Sequence, residues 1–142
     1  MLINISPRLW GESFWKMMHF VTLSYPDSNQ NISEQDKTHV KDFFLSVKNV
    51  LPCENCRLHF EQNLEKFPLN DNILSSKDNL IKWLVDIHNE VNIRTGKSTM
   101  TVSQVMKKYT EIPEDKEIDW KTLYTIGLLI LLIIIFIYFA RY

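Results

Sequence analysis

Apolar residues recur at helical spacing along roughly the first 110 positions. Between residues 8 and 25 they form one face of an amphipathic pattern, at Trp10, Phe14, Met17, Met18, Val21 and Tyr25. The same spacing returns after Ser33, a residue type that caps helix starts, at Val40, Phe43, Phe44, Val47 and Leu51. The pattern predicts two successive amphipathic helices.

Five prolines, at residues 7, 26, 52, 68 and 113, punctuate the chain, because proline is tolerated at a helix start but not in a helix interior. The later helices are predicted to run from Pro52 or Cys53 toward Phe67, from just after Ser75 or Ser76 to near Gly96, and from Thr101 or Ser103 through Tyr109. No segment shows sustained alternation with hairpin signals, and only three glycines occur. The sequence therefore predicts an all-α fold, a compact helical bundle.

The C-terminal pattern is different, because residues 122–140 contain no charged side chain across 19 positions. A helix of that length spans roughly 28 Å, close to the ~30 Å hydrocarbon core of a bilayer. We expect a bundle domain at 1–111, an acidic linker at 112–121 and a transmembrane helix at 122–140. Since only two residues follow this helix, we expect a single-pass C-terminal anchor with the bundle on the cytoplasmic side.

The overall composition is that of a folded protein without secretory features. Apolar residues make up 45% and charged residues 23%, which separates the chain from disordered sequences. With a net charge of -1 and basic residues scattered among acidic ones, the chain lacks the basic patch of nucleic-acid-binding proteins. The first residues lack the basic region, apolar run and cleavage site of a signal peptide, and two cysteines are too few for a disulfide-rich secreted scaffold, so we expect no secretion.

Both cysteines fall in one motif, Cys53-x-x-Cys56, which has three readings: redox-active thiols, half of a zinc site, or an inert pair on a helix. A structural zinc site needs four ligands. The two cysteines, His59 and one of His19, His39 or His88 supply that number, but no pair of histidines stands at ligand spacing. The redox reading has a physical basis, because the unpaired amides and the dipole of a helix start lower a cysteine pKa.

Net oxidation of thiols also requires an electron acceptor, which side chains do not supply. No GxGxxG fingerprint follows a strand, so a cofactor would have to lie among helices. Trp15 and His19 are spaced i, i+4 on the first predicted helix, and His88 and Asn92 have the same spacing on the fourth. The alternative for both pairs is structural: a core aromatic and hydrogen-bonded histidines.

These motifs together match a known family. The chain combines W-G-x-x-x-W-x-x-x-H at 10–19, Y-P at 25–26, P-C-x-x-C at 52–56, H-N-x-V-N at 88–92 and G-K at 96–97. Over roughly residues 8–110 it resembles the Erv/ALR sulfhydryl oxidases. The resemblance implies a thiol oxidase built on a four-helix bundle with a short fifth helix and binding FAD non-covalently. It implies cofactor contacts at Gly11, Trp15, His19, Tyr25, His88, Asn89, Val91, Asn92, Lys97 and Tyr109, and no metal.

By the same resemblance, Cys56 is the flavin-proximal thiol and Cys53 exchanges disulfides with the substrate, while electrons pass through FAD to O2 and give H2O2. His59 is then expected to be a solvent-side or structural residue. No second, shuttle cysteine pair occurs, so electrons are expected directly from a protein dithiol substrate, such as a small thioredoxin-like carrier. Homodimers are common in the family, and the first two helices offer apolar faces for one.

A minimal domain without shuttle cysteines is similar to the short oxidases of large cytoplasmic DNA viruses. That similarity suggests disulfide formation in virion proteins, at a virion membrane or one derived from the host endoplasmic reticulum. Two other functions stay open at this point: a membrane-tethered zinc-binding module and a non-catalytic membrane adaptor.

Overall fold

A computed structural model describes residues 3–27, 30–111 and 119–141. The described residues form six α-helices, one short 3₁₀ turn and no strand. In chain order the helices are α1 (Pro7–Leu23), α2 (Glu34–Val50), α3 (Glu54–Lys66), α4 (Lys77–Arg94), α5 (Val102–Thr110) and α6 (Trp120–Ala140), and the 3₁₀ turn (Ile73–Ser75) precedes α4. The all-helical prediction is confirmed.

Side-chain caps set three of the helix starts that the sequence predicts. The hydroxyl of Ser33 accepts the N–H of Asp36 at the start of α2, and Ser76 caps α4 in the same way. Thr101 and Gln104 form a reciprocal capping box at the start of α5. Each cap satisfies amides that have no partner within the helix, so these polar residues fix where the helices begin.

Two boundaries differ from the prediction by one or two residues. Helix α1 ends at Leu23, so Tyr25 lies beyond it. Helix α3 begins at Glu54, and Cys53 is its N-cap. Helix α4 ends close to Gly96, which has φ 70°, a left-handed conformation that glycine adopts without the steric penalty of a β-carbon.

Helix α4 is the centre of the bundle, because α1, α3, α5 and the 3₁₀ turn all pack on it. Its buried positions therefore run around much of its circumference instead of forming one stripe. The largest fully buried apolar side chains of the core are Phe44, Leu74, Leu80, Leu84 and Ile87. Burial of each such side chain contributes about 1.5–3 kcal/mol. A smaller cluster of Ile81, Val85 and Val105 joins α5 to α4.

The described residues up to Glu111 form one compact unit, and those from 119 onward form a second. The second unit is α6, a helix of 21 residues that contains an 18-residue stretch with a mean hydropathy of 2.8 and buries none of its side chains. Helix α6 is therefore long and apolar enough to span a membrane. Most of the predicted acidic linker, 112–118, lies outside the described residues.

Candidate active site

The two cysteines form a disulfide at the start of α3. Cys53 has an extended backbone, and its Sγ accepts the N–H of Cys56 at 3.2 Å. The first amides of a helix lack intrahelical partners, and the helix dipole adds positive potential there. A thiolate formed by opening this disulfide is stabilised by both effects, which are those that activate cysteines.

The segment before α1 runs alongside this helix start. The side-chain oxygen of Asn4 accepts the N–H of Glu54 at 2.8 Å, and the N–H of Ile5 donates to the carbonyl of Pro52 at 2.7 Å. From α1, the indole N–H of Trp10 donates to the carbonyl of Ile5 at 3.1 Å. These contacts connect the N-terminal segment, α1 and the cysteine pair.

Cys53 opens into a surface cleft of about 260 Å³, here called the outer cleft. The N-terminal segment and the first turn of α3 form its walls, at Asn4, Ile5, Ser6, Pro7, Cys53, Glu54 and Asn55. Cys56 is not among the lining residues. A thiol that enters this cleft therefore meets Cys53 first.

Cys56 opens instead into an apolar cavity of about 260 Å³ between α1, α3 and α4, here called the inner cavity. Its apolar lining consists of Pro7, Trp10, Gly11, Phe14, Trp15, Met18, Leu51, Phe60 and Val91. Its polar lining consists of His59, Arg94 and Thr95. Cys53 does not line this cavity, so the disulfide has one sulfur on each side.

A third cavity, the polar cavity, adjoins the inner one and has a volume of about 580 Å³. The two share Pro7, Gly11, Trp15, Val91 and Thr95. The polar cavity adds Arg8, Glu12, His88, Asn92, Lys97, Ser98, Met100, Lys108 and Tyr109. With three cationic side chains and one carboxylate, its lining favours an anionic ligand. The volume of the polar cavity falls in the range of small-molecule sites, and the adjoining inner cavity adds about 260 Å³.

Two histidines and two aromatic side chains stack at the boundary between α1, α4 and α5. The ring of His88 lies parallel to that of Trp15, with centroids 3.8 Å apart and an interplanar angle of 3°. The Nε2 of His19 lies 3.0 Å from the Nδ1 of His88, and the ring of His19 stacks on Tyr109 at 4.7 Å. The stack connects three helices at the wall of the polar cavity.

Both histidines are buried, and burial lowers the pKa of each. Desolvation, with a smaller contribution from the positive charge of Lys108, lowers the pKa of His19 from 6.5 to about 4. The pKa of His88 is lowered to about 3 by desolvation and then by His19, Lys108 and Lys97. The pair is neutral near pH 7, so one ring donates the shared hydrogen bond and the other accepts it. The Nδ1 of His19 has no hydrogen-bond partner among the described residues.

The structure brings most of the predicted contact residues to the two cavities. Those that line the inner cavity, the polar cavity or both are Gly11, Trp15, His88, Val91, Asn92, Lys97 and Tyr109. His19 lies directly behind this wall, bonded to His88.

Two predicted residues have other partners. The amide of Asn89 makes two hydrogen bonds of 2.8 Å to the backbone of Met100. Tyr25 is buried in the core, where its hydroxyl donates to the carbonyl of Leu74 at 2.8 Å, and it lines neither cavity.

Other residues of the walls were not predicted as cofactor contacts. Trp10, Phe14 and Met18 belong to the apolar stripe of α1, which periodicity assigns to a core and not to a cavity. His59 lines the inner cavity one turn after Cys56, so it lies at the candidate site and not simply on the solvent side. Arg94 follows Val91 by three positions, about one helical turn, so it lies on the same face of α4. That spacing could have predicted its place in the cavity wall.

The described ranges contain no cluster of three or more His, Cys, Asp or Glu side chains placed to hold a metal ion. The site is therefore built around a disulfide and two cavities that together suit a ligand with a flat apolar part and an anionic part.

Comparison with known proteins gives a consistent result. The Erv1/Alr family model matches residues 12–110. A protein of Acanthamoeba polyphaga mimivirus, named a probable FAD-linked sulfhydryl oxidase, is 44% identical over 103 residues, covering 72% of this chain and 70% of that protein. A FAD-linked sulfhydryl oxidase of African swine fever virus is 28% identical over 102 residues, covering 72% and 81%.

The fold also matches a solved structure. The crystal structure of the yeast Erv1 core aligns with a TM-score of 0.65 at 25% identity, covering 77% of this chain and 87% of that one. The match therefore includes most of the bundle. By its sequence and its fold, the chain belongs to the Erv1/Alr family.

Proposed function

We propose that this protein is an FAD-linked sulfhydryl oxidase, which forms disulfide bonds in protein substrates through Cys53 and Cys56. The observation that carries the proposal is the position of the disulfide between two separate cavities, with Cys53 in the outer cleft and Cys56 in the inner cavity. A thiol oxidase needs this separation, because one sulfur must meet the substrate and the other must meet the electron acceptor. The names of the viral relatives support the same activity.

The residues of the inner and polar cavities fit FAD. The inner cavity offers flat aromatic walls, including Trp10 and Trp15, beside the sulfur of Cys56. The polar cavity offers Lys97 and Lys108 to the negative charges of a pyrophosphate. His19 supplies a buried nitrogen without a partner next to this wall. When bound, FAD would supply the chemistry of accepting an electron pair from a thiolate and donating it to O2.

The chain's own residues carry out the exchange with the substrate. A substrate thiolate attacks Sγ of Cys53, the bond between Cys53 and Cys56 breaks, and Cys56 leaves as a thiolate. The substrate's second thiol then attacks the substrate sulfur that is bonded to Cys53. This step forms the disulfide of the substrate and releases Cys53 as a thiolate. The amides at the start of α3 stabilise the negative charge on the cysteines during both steps.

The thiolate of Cys56 faces the inner cavity, where Arg94 and His59 provide the polar groups. Burial and the charge of Arg94 lower the pKa of His59, so this imidazole is neutral near pH 7 and able to accept a proton. The overall reaction balances as one dithiol and one O2 giving one disulfide and one H2O2.

The partners and location are part of the proposal. The chain has only this cysteine pair, which favours direct reaction with a protein dithiol, such as a thioredoxin-like carrier. Exposed Met17 and Phe20 on α1 and exposed Leu45 and Val50 on α2 provide apolar area for a homodimer. Helix α6 would anchor the protein in a membrane, and the viral relatives favour a role in disulfide formation in virion proteins.

The decisive experiment is an absorbance spectrum of the full chain, purified in detergent, before and after dithiothreitol. We expect a flavin band at ~450 nm that bleaches under anaerobic conditions and returns with oxygen uptake. Cys56→Ser should keep the band but resist bleaching, and Cys53→Ser should lose turnover. Ser46→Ala, a change on α2 away from both cavities, serves as the control. A folded, colourless protein with stoichiometric zinc would contradict the proposal, as would oxygen uptake that persists in both cysteine variants.

A further inference from the structure

We propose that the N-terminal segment, residues 3–6, docks the substrate: it binds the extended backbone that flanks the reacting cysteine of a protein substrate and delivers that cysteine to Cys53. The segment is not itself a β-strand, and it is here called the docking strand because the substrate backbone would add to it as to the edge of a sheet. This inference rests on the proposed function, since it concerns the protein side of the same reaction. Its basis is the outer cleft, in which the segment forms one wall and Cys53 lies in the opposite wall.

The segment is fixed on its inner side. Ile5 donates its N–H to Pro52 at 2.7 Å and accepts the indole N–H of Trp10 at 3.1 Å, while Asn4 binds the amide of Glu54. A strand held at three points presents a wall of defined shape, so a ligand that binds to it loses little free energy in ordering the protein.

The segment's other amides are free to bind a ligand. Ser6, at φ -56° and ψ 127°, is not helical, and the hydrogen bonds of the segment distinguish its amides from one another. The N–H of Ile5 is directed to Pro52, whereas the N–H groups of Asn4 and Ser6 donate to no other residue in the described part of the chain. Both are solvent-exposed residues. When a peptide adds to the free edge of a sheet, it binds to unpaired backbone N–H groups at alternate residues, and these two N–H groups have that spacing.

The side chains of the segment add an apolar rim, because Ile3 is 81% exposed and Ile5 is 46% exposed. Ile5 lines the outer cleft itself. Contact with such a rim would favour a polypeptide over a small dithiol, which has no chain beside its thiols to contact the rim.

The chemistry at the docked cysteine is the disulfide exchange already described. The substrate's thiolate forms a bond with Sγ of Cys53, Cys56 leaves as a thiolate, and the substrate's second thiol completes its own disulfide. The substrate loses two electrons, and the Cys53–Cys56 pair gains them. The docking strand changes none of these steps; it determines which thiols reach them.

The test compares two substrates of the full chain: dithiothreitol and a reduced 12-residue peptide that contains Cys-x-x-Cys. Ser6→Pro removes the N–H of Ser6, and its φ of -56° is one that proline adopts without strain. Because one hydrogen bond is lost, we expect the ratio of kcat/KM for the peptide to that for dithiothreitol to fall by about 2- to 10-fold. Ser6→Ala keeps the backbone N–H and is the matched control. Its ratio should equal that of the wild type.

A second variant tests the rim. Ile3→Asp changes an exposed side chain without touching the core, and we expect it to lower the same ratio through a raised KM for the peptide. Leu58→Asp, an equally drastic change at an exposed position of α3, should leave the ratio unchanged.

The outcomes separate the two proposals. If the wild-type protein oxidises neither substrate, the proposed oxidase function fails. A second outcome is that dithiothreitol is oxidised but Ser6→Pro and Ile3→Asp leave the ratio unaltered, or lower kcat/KM equally for both substrates. In that case the docking strand is ruled out and the oxidase function stands.

Discussion

The Nε2 of His19 and the Nδ1 of His88 lie 3.0 Å apart, joining α1 to α4 at the wall of the polar cavity. Because burial holds both rings neutral near pH 7, the bond between them connects a donor and an acceptor instead of two charges. Protonation of either ring would remove its acceptor nitrogen and place a cation in the bundle. The pair therefore couples the stability of the site to pH.

The first prediction concerns this coupling. The pKa of His19 is lowered to about 4 and that of His88 to about 3, from an ordinary value of 6.5. Between these lowered values and 6.5 the unfolded chain binds more protons than the folded one, so the free energy of unfolding rises with pH. The contribution of the two neutral histidines to stability is fully present above pH ~6.5 and is lost as the pH falls toward their pKa values in the folded protein. We expect the free energy of unfolding to decrease between pH 7 and pH 5, by at most about 1.4 kcal/mol per pH unit and histidine.

Urea unfolding followed by tryptophan fluorescence at several pH values measures this slope. His88→Gln should make the dependence of the free energy of unfolding on pH shallower, because glutamine does not titrate. His39→Gln, on an exposed position of α2, is the control and should leave the slope as in the wild type. An equal slope in all three proteins would show that the acid sensitivity has another origin.

The second prediction concerns Trp15, whose ring is parallel to that of His88 and lines both the inner and the polar cavity. Removal of this ring by Trp15→Ala should reduce the flavin content of the purified protein. An aromatic stacking contact is worth about 0.5–1.5 kcal/mol, or roughly 2- to 12-fold in affinity, before lost burial is added. The ratio of flavin to protein absorbance measures the effect.

Trp15→Phe should retain part of the flavin, because a smaller ring still stacks. Trp120→Ala, at the exposed start of α6, is the control and should bind flavin as the wild type does. Full flavin content in Trp15→Ala would place the cofactor elsewhere.

The helix starts could be predicted because local chemistry determines them. Ser33, Ser76 and Thr101 each accept an amide hydrogen from a residue three positions later, so the signal and its partner lie within one turn. The apolar stripes were equally local, and they predicted the bundle. Periodicity could not separate core from cavity, because Trp10 and Phe14 are apolar residues that face a ligand-sized space.

The roles of several polar side chains depended on residues far along the chain. Asn89 binds Met100, 11 residues later, and Tyr25 binds the carbonyl of Leu74, 49 residues later. Asn4 lies 50 residues before Glu54. No local pattern specifies such partners, since any exposed donor or acceptor could have satisfied these groups.

The third prediction follows from the two hydrogen bonds of Asn89. They hold Met100 and thereby the loop that carries Lys97 to the polar cavity. Asn89→Ala should cost about 1–3 kcal/mol of stability, because it leaves backbone groups without partners. It should also weaken FAD binding, measured by fluorescence titration of the apoprotein. Asn31→Ala, at an exposed site, is the control; unchanged binding in Asn89→Ala would show that the loop position does not matter for the cofactor.

The fourth prediction separates the stability of the bundle from the position of the redox pair. Asn4→Ala removes the acceptor for the amide of Glu54 at the start of α3, and a lost cap costs about 0.5–2 kcal/mol. Ser33→Ala removes a cap of the same kind from α2, a helix without cysteines. We expect similar losses in urea unfolding from the two variants.

Their activities should differ. Only Asn4→Ala loosens the turn that holds Cys53, so it should slow dithiothreitol oxidation several-fold while Ser33→Ala does not. Asn4→Asp keeps an acceptor oxygen and should restore the cap, but its negative charge raises the pKa of a neighbouring thiol. The maximum of its pH–rate profile should therefore move to higher pH. Equal rates in Asn4→Ala and Ser33→Ala would mean that the contact between Asn4 and Glu54 serves folding alone.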